Sequence, residues 1–307
     1  MRVKWVLAGL LMAGVMLALA DNKSAPDGLP GCSGLVGWGT DRYVVSHDLK
    51  AAESGARFGL VHTHAHFDYQ PLDCDWSAVG VAANDLESVA PIEGLPGQFL
   101  AAESGYFRGQ YGRFFWLQGE EGATPRLKAL RKYALPTNLH QEIEGLATYR
   151  LDSNRWLVLL GGRGGKAEEP GRLFWGVLDQ ASANLEWPAA GLKGIEIHLP
   201  RRLGPYARSL SDMFIDDKHH LWISSCSSPG QAGPNRSLIF QAGTVHDDLK
   251  QPFRRNVEGQ AVWWVDGCKI EGLTGCGRPG YGPAYVTDDD DLGGIWRAVP
   301  GNPSLSY

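Results

Sequence analysis

Glu142-Ile143-Glu144-Gly145-Leu146-Ala147, then Trp156-Leu157-Val158-Leu159-Leu160, then Arg172-Leu173-Phe174-Trp175: the fold of this chain turns on this stretch. Each piece is a short apolar or aromatic run of strand type, set off by turn residues. The same three-part phrase occurs five times. Its head also reads Cys32-Ser33-Gly34-Leu35, Asp85-Leu86-Glu87-Ser88-Val89, Leu210-Ser211-Asp212-Met213-Phe214 and Lys269-Ile270-Glu271-Gly272-Leu273-Thr274. Its middle recurs as Tyr43-Val44-Val45-Ser46-His47, Phe99-Leu100-Ala101-Ala102-Glu103, Leu221-Trp222-Ile223-Ser224-Ser225 and Tyr285-Val286-Thr287-Asp288. Its end recurs as Arg57-Phe58-Gly59-Leu60, Arg113-Phe114-Phe115-Trp116, Ser237-Leu238-Ile239-Phe240 and Gly294-Ile295-Trp296-Arg297. The heads step through 33, 87, 144, 211 and 271, and the ends through 57, 113, 172, 237 and 295, so one unit takes roughly 55–65 residues.

A unit of three or four antiparallel strands cannot bury both faces alone, and radial repetition solves that while protecting strand edges. The expected fold is all-β: a β-propeller of mostly antiparallel four-stranded sheets. Five blades fit the phrase count, or six if a degenerate blade lies in the 147–211 interval. A β-sandwich or barrel with accidental similarity is the competing fold. Helical pattern is confined to Pro125–Leu135, where a short helix is expected. Pro and Gly are spread along the chain, so no linker and no second domain are expected. The 40 glycines and 11 tryptophans among 307 residues fit many turns and many aromatic strands.

Residues 1–20 read differently. Arg2 and Lys4 lead an apolar run from Val6 to Leu19, and Ala18-Leu19-Ala20 is a small-x-small cleavage site. This is the pattern of a secretory signal peptide, leaving 21–307 as the propeller. Its removal takes away two positive charges and no acid, so the formal charge of −5 becomes −7. That sign argues against a nucleic-acid partner, and no other apolar run is long enough to span a bilayer. The chain is expected to be exported, periplasmic or extracellular, and monomeric. Export permits disulfides, but Cys32, Cys74, Cys226, Cys268 and Cys276 are odd in number. Cys268 and Cys276 flank a predicted strand, whose extended path of about 26 Å is too long for a bridge.

In a propeller blade the start of the first strand and the end of the second lie on one face. That places an inner ring of Ser33, Glu87, Glu144, Ser211 or Asp212, and Glu271 at one mouth of the channel. An outer ring of His47, Asp48, Glu103, Arg163, Ser225 and Asp288 surrounds it. Carboxylates converging on one axis repel, so they take up protons or hold a cation. Oxygen ligands without histidine suit calcium or magnesium. The competing role, compatible with the first, is to accept backbone N–H groups as clips between blades. Arg163, in Gly161-Gly162-Arg163-Gly164, either bridges to Glu103 or Glu144 or pairs with an anionic ligand. His62, His64 and His66, with Asp68, share one face if extended; they hold a metal or line a solvated strand. The run Asp288–Asp291 is a solvated loop or an addition to the cation site.

The phrase Glu144-Gly145-Leu146-Ala147 followed by Trp156–Gly164 resembles the EGLA-type secreted bacterial propellers. These include SdiA-regulated propellers and propellers with an esterase-like phytase label, mostly of unknown function. Lys269–Thr274 with Tyr285-Val286-Thr287-Asp288-Asp289 repeats that signature. More distantly, one Ser or Glu per blade is similar to the calcium-activated nucleotidases, and implies five blades and a central calcium. The resemblance covers nearly the whole chain after residue 20.

The expected function is an exported propeller with an acidic, cation-binding channel mouth that takes a small molecule or a protein. The metal set is Glu87, Glu144, Asp212, Glu271, Ser33, Ser211 and Asp288, with Ca2+ as the ion. One alternative is a secreted calcium-dependent hydrolase of phosphate esters or related esters. There Arg163 would stabilise developing charge while Glu103 or Glu144 activates water. The other alternative is a protein-interaction platform.

Overall fold

The computed structural model describes residues 29–305 apart from 51–52, 65–66, 106–111, 137–138, 165–169, 201–202, 205, 231–232, 257–260 and 302–303. The expected signal segment and His66 lie outside the described residues. The strands form five sheets. The first holds β1 (Gly34–Gly37), β2 (Arg42–Ser46), β3 (Phe58–His62) and β4 (Asp68–Leu72) in that order. The second holds β6 (Leu86–Pro91), β7 (Gln98–Glu103), β8 (Arg113–Glu120) and β9 (Arg126–Ala134), with β5 (Cys74–Asp75) added parallel to β9. The third runs β10 (Ile143–Arg150), β11 (Arg155–Gly162), β12 (Arg172–Asp179) and β13 (Asn184–Glu186), with β14 (Ile195–Glu196) also on β12. The fourth runs β15 (Asp212–Ile215), β16 (His220–Ser227), β17 (Arg236–Val245), β19 (Ala261–Asp266) and β23 (Ser304–Leu305), with β18 (Phe253–Arg255) on β17. The fifth is β20 (Ile270–Gly275), β21 (Tyr281–Thr287) and β22 (Trp296–Pro300).

Five buried apolar clusters lie one between each pair of neighbouring sheets. Phe58 and Leu60 of the first sheet meet Phe99 and Phe115 of the second. Phe114 and Trp116 meet Trp156 and Leu160, and Leu157 and Trp175 meet Met213 and Phe240. Phe214 and Ile239 meet Leu273 and Tyr285. Val286 and Trp296 return to Leu35, Tyr43 and Val45 of the first sheet. The sheets therefore form a closed ring, a five-bladed propeller. Middle strands are covered on both faces, which is why Tyr43, Val44 and Val45 are all buried in succession. Closure is made by the chain ahead of β1: Leu29 bridges antiparallel to Gly294, and the Cys32 N–H donates to Thr287 O at 3.1 Å.

Between β12 and β15 the described residues form β13, a five-residue helix (Ala189–Lys193) and β14, with no sixth inner strand among them, so the count is five. The helix expected at Pro125–Leu135 is instead strand β9. Leu127 and Ala129 are buried while Lys128 and Leu130 are more exposed, a period of two on an outer strand that tertiary pairing imposes on helix-forming residues. All five cysteines are free, and β20 separates Cys268 from Cys276 as the extended-path argument requires. No helix among the described residues is long and apolar enough to cross a membrane.

The inner strands β1, β6, β10, β15 and β20 pack against one another around the axis. Glycine makes that approach possible. A Cβ on Gly34 would lie 2.8 Å from the backbone N of Val89, and one on Gly272 would lie 2.8 Å from the carbonyl carbon of Gly34. Asp212 stands in the corresponding position of the fourth blade. Its carboxylate accepts from Ser88 Oγ at 2.8 Å and Leu273 N at 2.7 Å, and from the N–H of Leu146. One side chain thereby ties four blades.

Candidate functional site at the channel head

In blades two, three and five the pairing of the inner strand slips by one residue at its head, between Leu86 and Ser88, Ile143 and Gly145, and Ile270 and Gly272. The extra residue is Glu87, Glu144 or Glu271. A bulge of this kind re-aims one side chain, here in three blades at the same level. Ser33 and Ser211 hold the equivalent place in blades one and four, each donating its N–H to the second strand, at Ser46 O (3.0 Å) and Ser224 O (2.8 Å). Ser33 Oγ also donates to Leu86 O of the next blade at 2.5 Å.

These acids lean on one another. Burial raises Glu87 well above the usual carboxylate range, and Glu144, Asp48 and Glu271 add to the rise. Burial likewise raises Glu144 and Glu271 to about 7, with Arg208 and Lys269 opposing the rise at both. Arg208 Nη1 lies 3.1 Å from Glu271 Oε1 and 3.9 Å from Glu144 Oε2. Lys269 Nζ lies 3.0 Å from Glu271, 3.4 Å from Asp288 and 3.5 Å from Asp290. Burial works against the Lys269 charge, but Glu271 and Asp288 outweigh it and hold its pKa above the usual value. Arg163 pairs with Glu142 and, at 3.1 Å, with Glu144. Its side chain is about a third exposed, as is that of Arg208. The head is thus a mixed-charge mouth: three ring glutamates, with Arg163, Arg208 and Lys269 among them.

The other expected residues fall as follows. Asp212 lies one residue past the ring, fully buried, its carboxylate taken by the cross-axis bonds described above. Glu103 is fully buried; Arg113 grips both its oxygens and the Asn84 N–H donates to it at 2.8 Å. The water-activating role expected of Glu103 has no room there, whereas Glu144 does reach the mouth. Asp288 shares Lys269 with the ring acid Glu271 and adds to that acid's rise. His47 is buried, with Nδ1 2.7 Å from Gly31 O and Nε2 3.1 Å from the Tyr69 hydroxyl. Asp48, Asp85 and Glu87 approach within 4.8 Å of one another, with Lys50 bonded to Asp85. His64 is exposed beside Asp41, at 3.3 Å. The sequence reading missed Arg208 and the role of Lys269. Lys269 was visible two residues before Glu271, where the third blade has Glu142; Arg208 sits in irregular chain before Ser211 and carried no periodic signal.

No protein-family model matches the chain, and no curated protein matches it. Among solved structures it is similar to an endo-arabinase from Bacteroides thetaiotaomicron VPI-5482, at 10% identity and a TM-score of 0.52, over 90% of this chain and 96% of that one. It is also similar to an endo-1,4-beta-xylanase from the same bacterium, at 7% identity and a TM-score of 0.52, over 90% and 92% of the two chains. At such identities the likeness is one of fold.

Proposed function

We propose that this chain is an exported, ligand-binding propeller whose channel head holds calcium among Ser33, Glu87, Glu144, Ser211 and Glu271. The ligand is a small anion of the phosphate-ester class, met by Arg163, Arg208 and Lys269. One observation carries the reading: the same position in every blade offers a hydroxyl or a carboxylate, and the cations stand beside those positions. The donor set is all oxygen, which suits a hard cation. Glu87 is the least compensated of the three acids, since Lys50, which opposes its rise, is bound to Asp85. Calcium supplies charge neutralisation at the ring and a Lewis acid toward a phosphoryl oxygen. Arg163 and Arg208 present guanidinium groups that pair with phosphate geometry, and they offset the −7 charge that would otherwise repel an anion. Membership of the EGLA-type propellers rests on Glu144–Ala147 and Glu271–Thr274, each heading an inner strand.

A second reading is a hydrolase working at the same mouth. Glu144 and Glu271, raised to about 7, are suited to give or take a proton near neutrality. The two similar propellers are named as an endo-arabinase and an endo-1,4-beta-xylanase. Elemental analysis and melting curves test the first reading. Calcium is expected to co-purify, chelation to lower the melting temperature, and Glu144→Gln to remove most of that difference. A metal-free protein that melts identically with and without chelator would end it. Phosphate esters and arabinan or xylan fragments, each assayed with and without chelator, test the second.

A further inference from the structure

At the far end of the inner strands the channel opens again. Two residues past each ring position stand Leu35, Val89, Leu146, Met213 and Leu273, and these form the floor of a cavity of about 780 Å3. One wall is aromatic. Trp222 stacks on Phe214 with centroids 6.5 Å apart and tilts against Trp263 at 5.2 Å, while Tyr281 stands half exposed at the rim. The wall is fixed from behind. Asp216 accepts from Trp222 Nε1 at 2.9 Å, from the N–H groups of Lys218 and His220 at 2.9 Å each, and meets His220 Nδ1 at 3.0 Å. Trp263 Nε1 donates to Pro300 O at 3.2 Å. The indole N–H groups are therefore committed to the protein, and carbon surface faces the cavity. Asp212, with its bonds across the axis, lies between this floor and the ring of acids.

We propose that this cavity is a second ligand site, separate from the channel head, and that it takes an uncharged aromatic small molecule. Its volume is in the range of small-molecule pockets, roughly 300–1,000 Å3. The charged side chains of the lining lie in the turn after β15, where Asp216 is taken up by Trp222 and His220 and Asp217 and Lys218 are exposed; the floor itself is aliphatic, so an ionic ligand seated on it would lose its hydration without compensation. A sugar would need several polar partners beneath it. Of the uncharged polar side chains in the lining, Thr148 already donates to Pro91 O at 2.6 Å, which leaves Thr274, Gln241 and the rim hydroxyl of Tyr281, spread over separate strands. A flat apolar ring meets aliphatic carbon below and aromatic carbon beside it, with favourable stacked or edge-on geometries available. This proposal does not depend on the reading of the channel head.

The test uses 2-naphthol as probe, with methyl β-xylopyranoside as the sugar arm, followed by calorimetric titration of the full chain. Gly37 and Gly277 line the cavity, and a Cβ on either meets nothing within 4 Å. Gly37→Trp and Gly277→Trp are therefore expected to fill the space without disturbing the fold. The expected result is saturable one-to-one binding of 2-naphthol, at least tenfold weaker in both filled variants at unchanged melting temperature. It should persist in chelator and in Glu144→Gln. Absence of saturable binding, equal binding by the filled variants, or preference for the sugar would overturn the proposal. Loss of binding in chelator or in Glu144→Gln would overturn its separation from the channel head.

Discussion

Arg163 touches Glu142 and Glu144 at once, so its guanidinium braces two blade-head acids. Arg163→Ala leaves Glu144, almost fully buried, with the more distant Arg208. A loss of about 1–3 kcal/mol of stability is expected, the usual cost of an unsatisfied buried group; thermal or urea melts measure it. If stability is unchanged while anion binding falls, Arg163 serves the ligand and not the brace. Glu103→Gln provides the contrast. It breaks the pair between the fully buried Glu103 and the partly exposed Arg113, so about 3 kcal/mol should be lost, the low end of the cost of breaking a buried pair, with calcium binding at the ring intact in whatever fraction stays folded. At this scale the sequence was only half legible. Period and position identify the ring acids, because they repeat. A partner such as Arg208 comes from irregular chain before β15, and no spacing announces it.

The strand elements were the most legible part, since each blade repeats the same apolar runs at one period. The exception was β9, whose Leu127-Lys128-Ala129-Leu130-Arg131-Lys132 composition favours helix and whose strand form is imposed by pairing with β8. The glycines of the inner strands separate two physical roles. Gly34→Ala would drive a Cβ against a backbone N and the Cα of Ser88, neither of which can step aside. It should cost about 1–3 kcal/mol, as overpacking does. Gly37, three residues later on β1, has open space beyond its Cα. There alanine should be neutral or stabilising by up to about 1 kcal/mol, since the unfolded chain loses freedom. Equal denaturation midpoints for the two variants would remove the close-packing account of the channel. The cavity at the far end was not legible at all: its lining comes from all five blades, two or three residues from each of the first three and the rest from the fourth and fifth.

For the whole molecule the decisive variable is the protonation of the channel head. Glu144 and Glu271 sit near 7 in the folded state against a reference of 4.5. Without metal the folded protein therefore binds more protons than the unfolded chain between those values. Its stability from these groups is complete below about pH 4.5 and declines as pH rises through about 7. Calcium binds the ionised form and expels those protons. Melting temperatures in chelator should fall from about pH 5 to pH 8, while calcium-loaded protein stays level, the gap widening with pH. At free calcium about 100 times its dissociation constant the linkage is worth ~2.7 kcal/mol. A gap that narrows as pH rises would contradict calcium in the ring. The joint between Leu29 and Gly294 has a consequence in time as well as space. Synthesis delivers the first blade long before the fifth, and this contact, among the most distant in sequence, must wait for nearly the whole chain. Until then the surface formed by Leu35, Tyr43 and Val45 has no cover. A half-made chain is therefore sticky at its leading end, and a chaperone that shields this first blade until Val286 and Trp296 arrive would set the yield of folded protein.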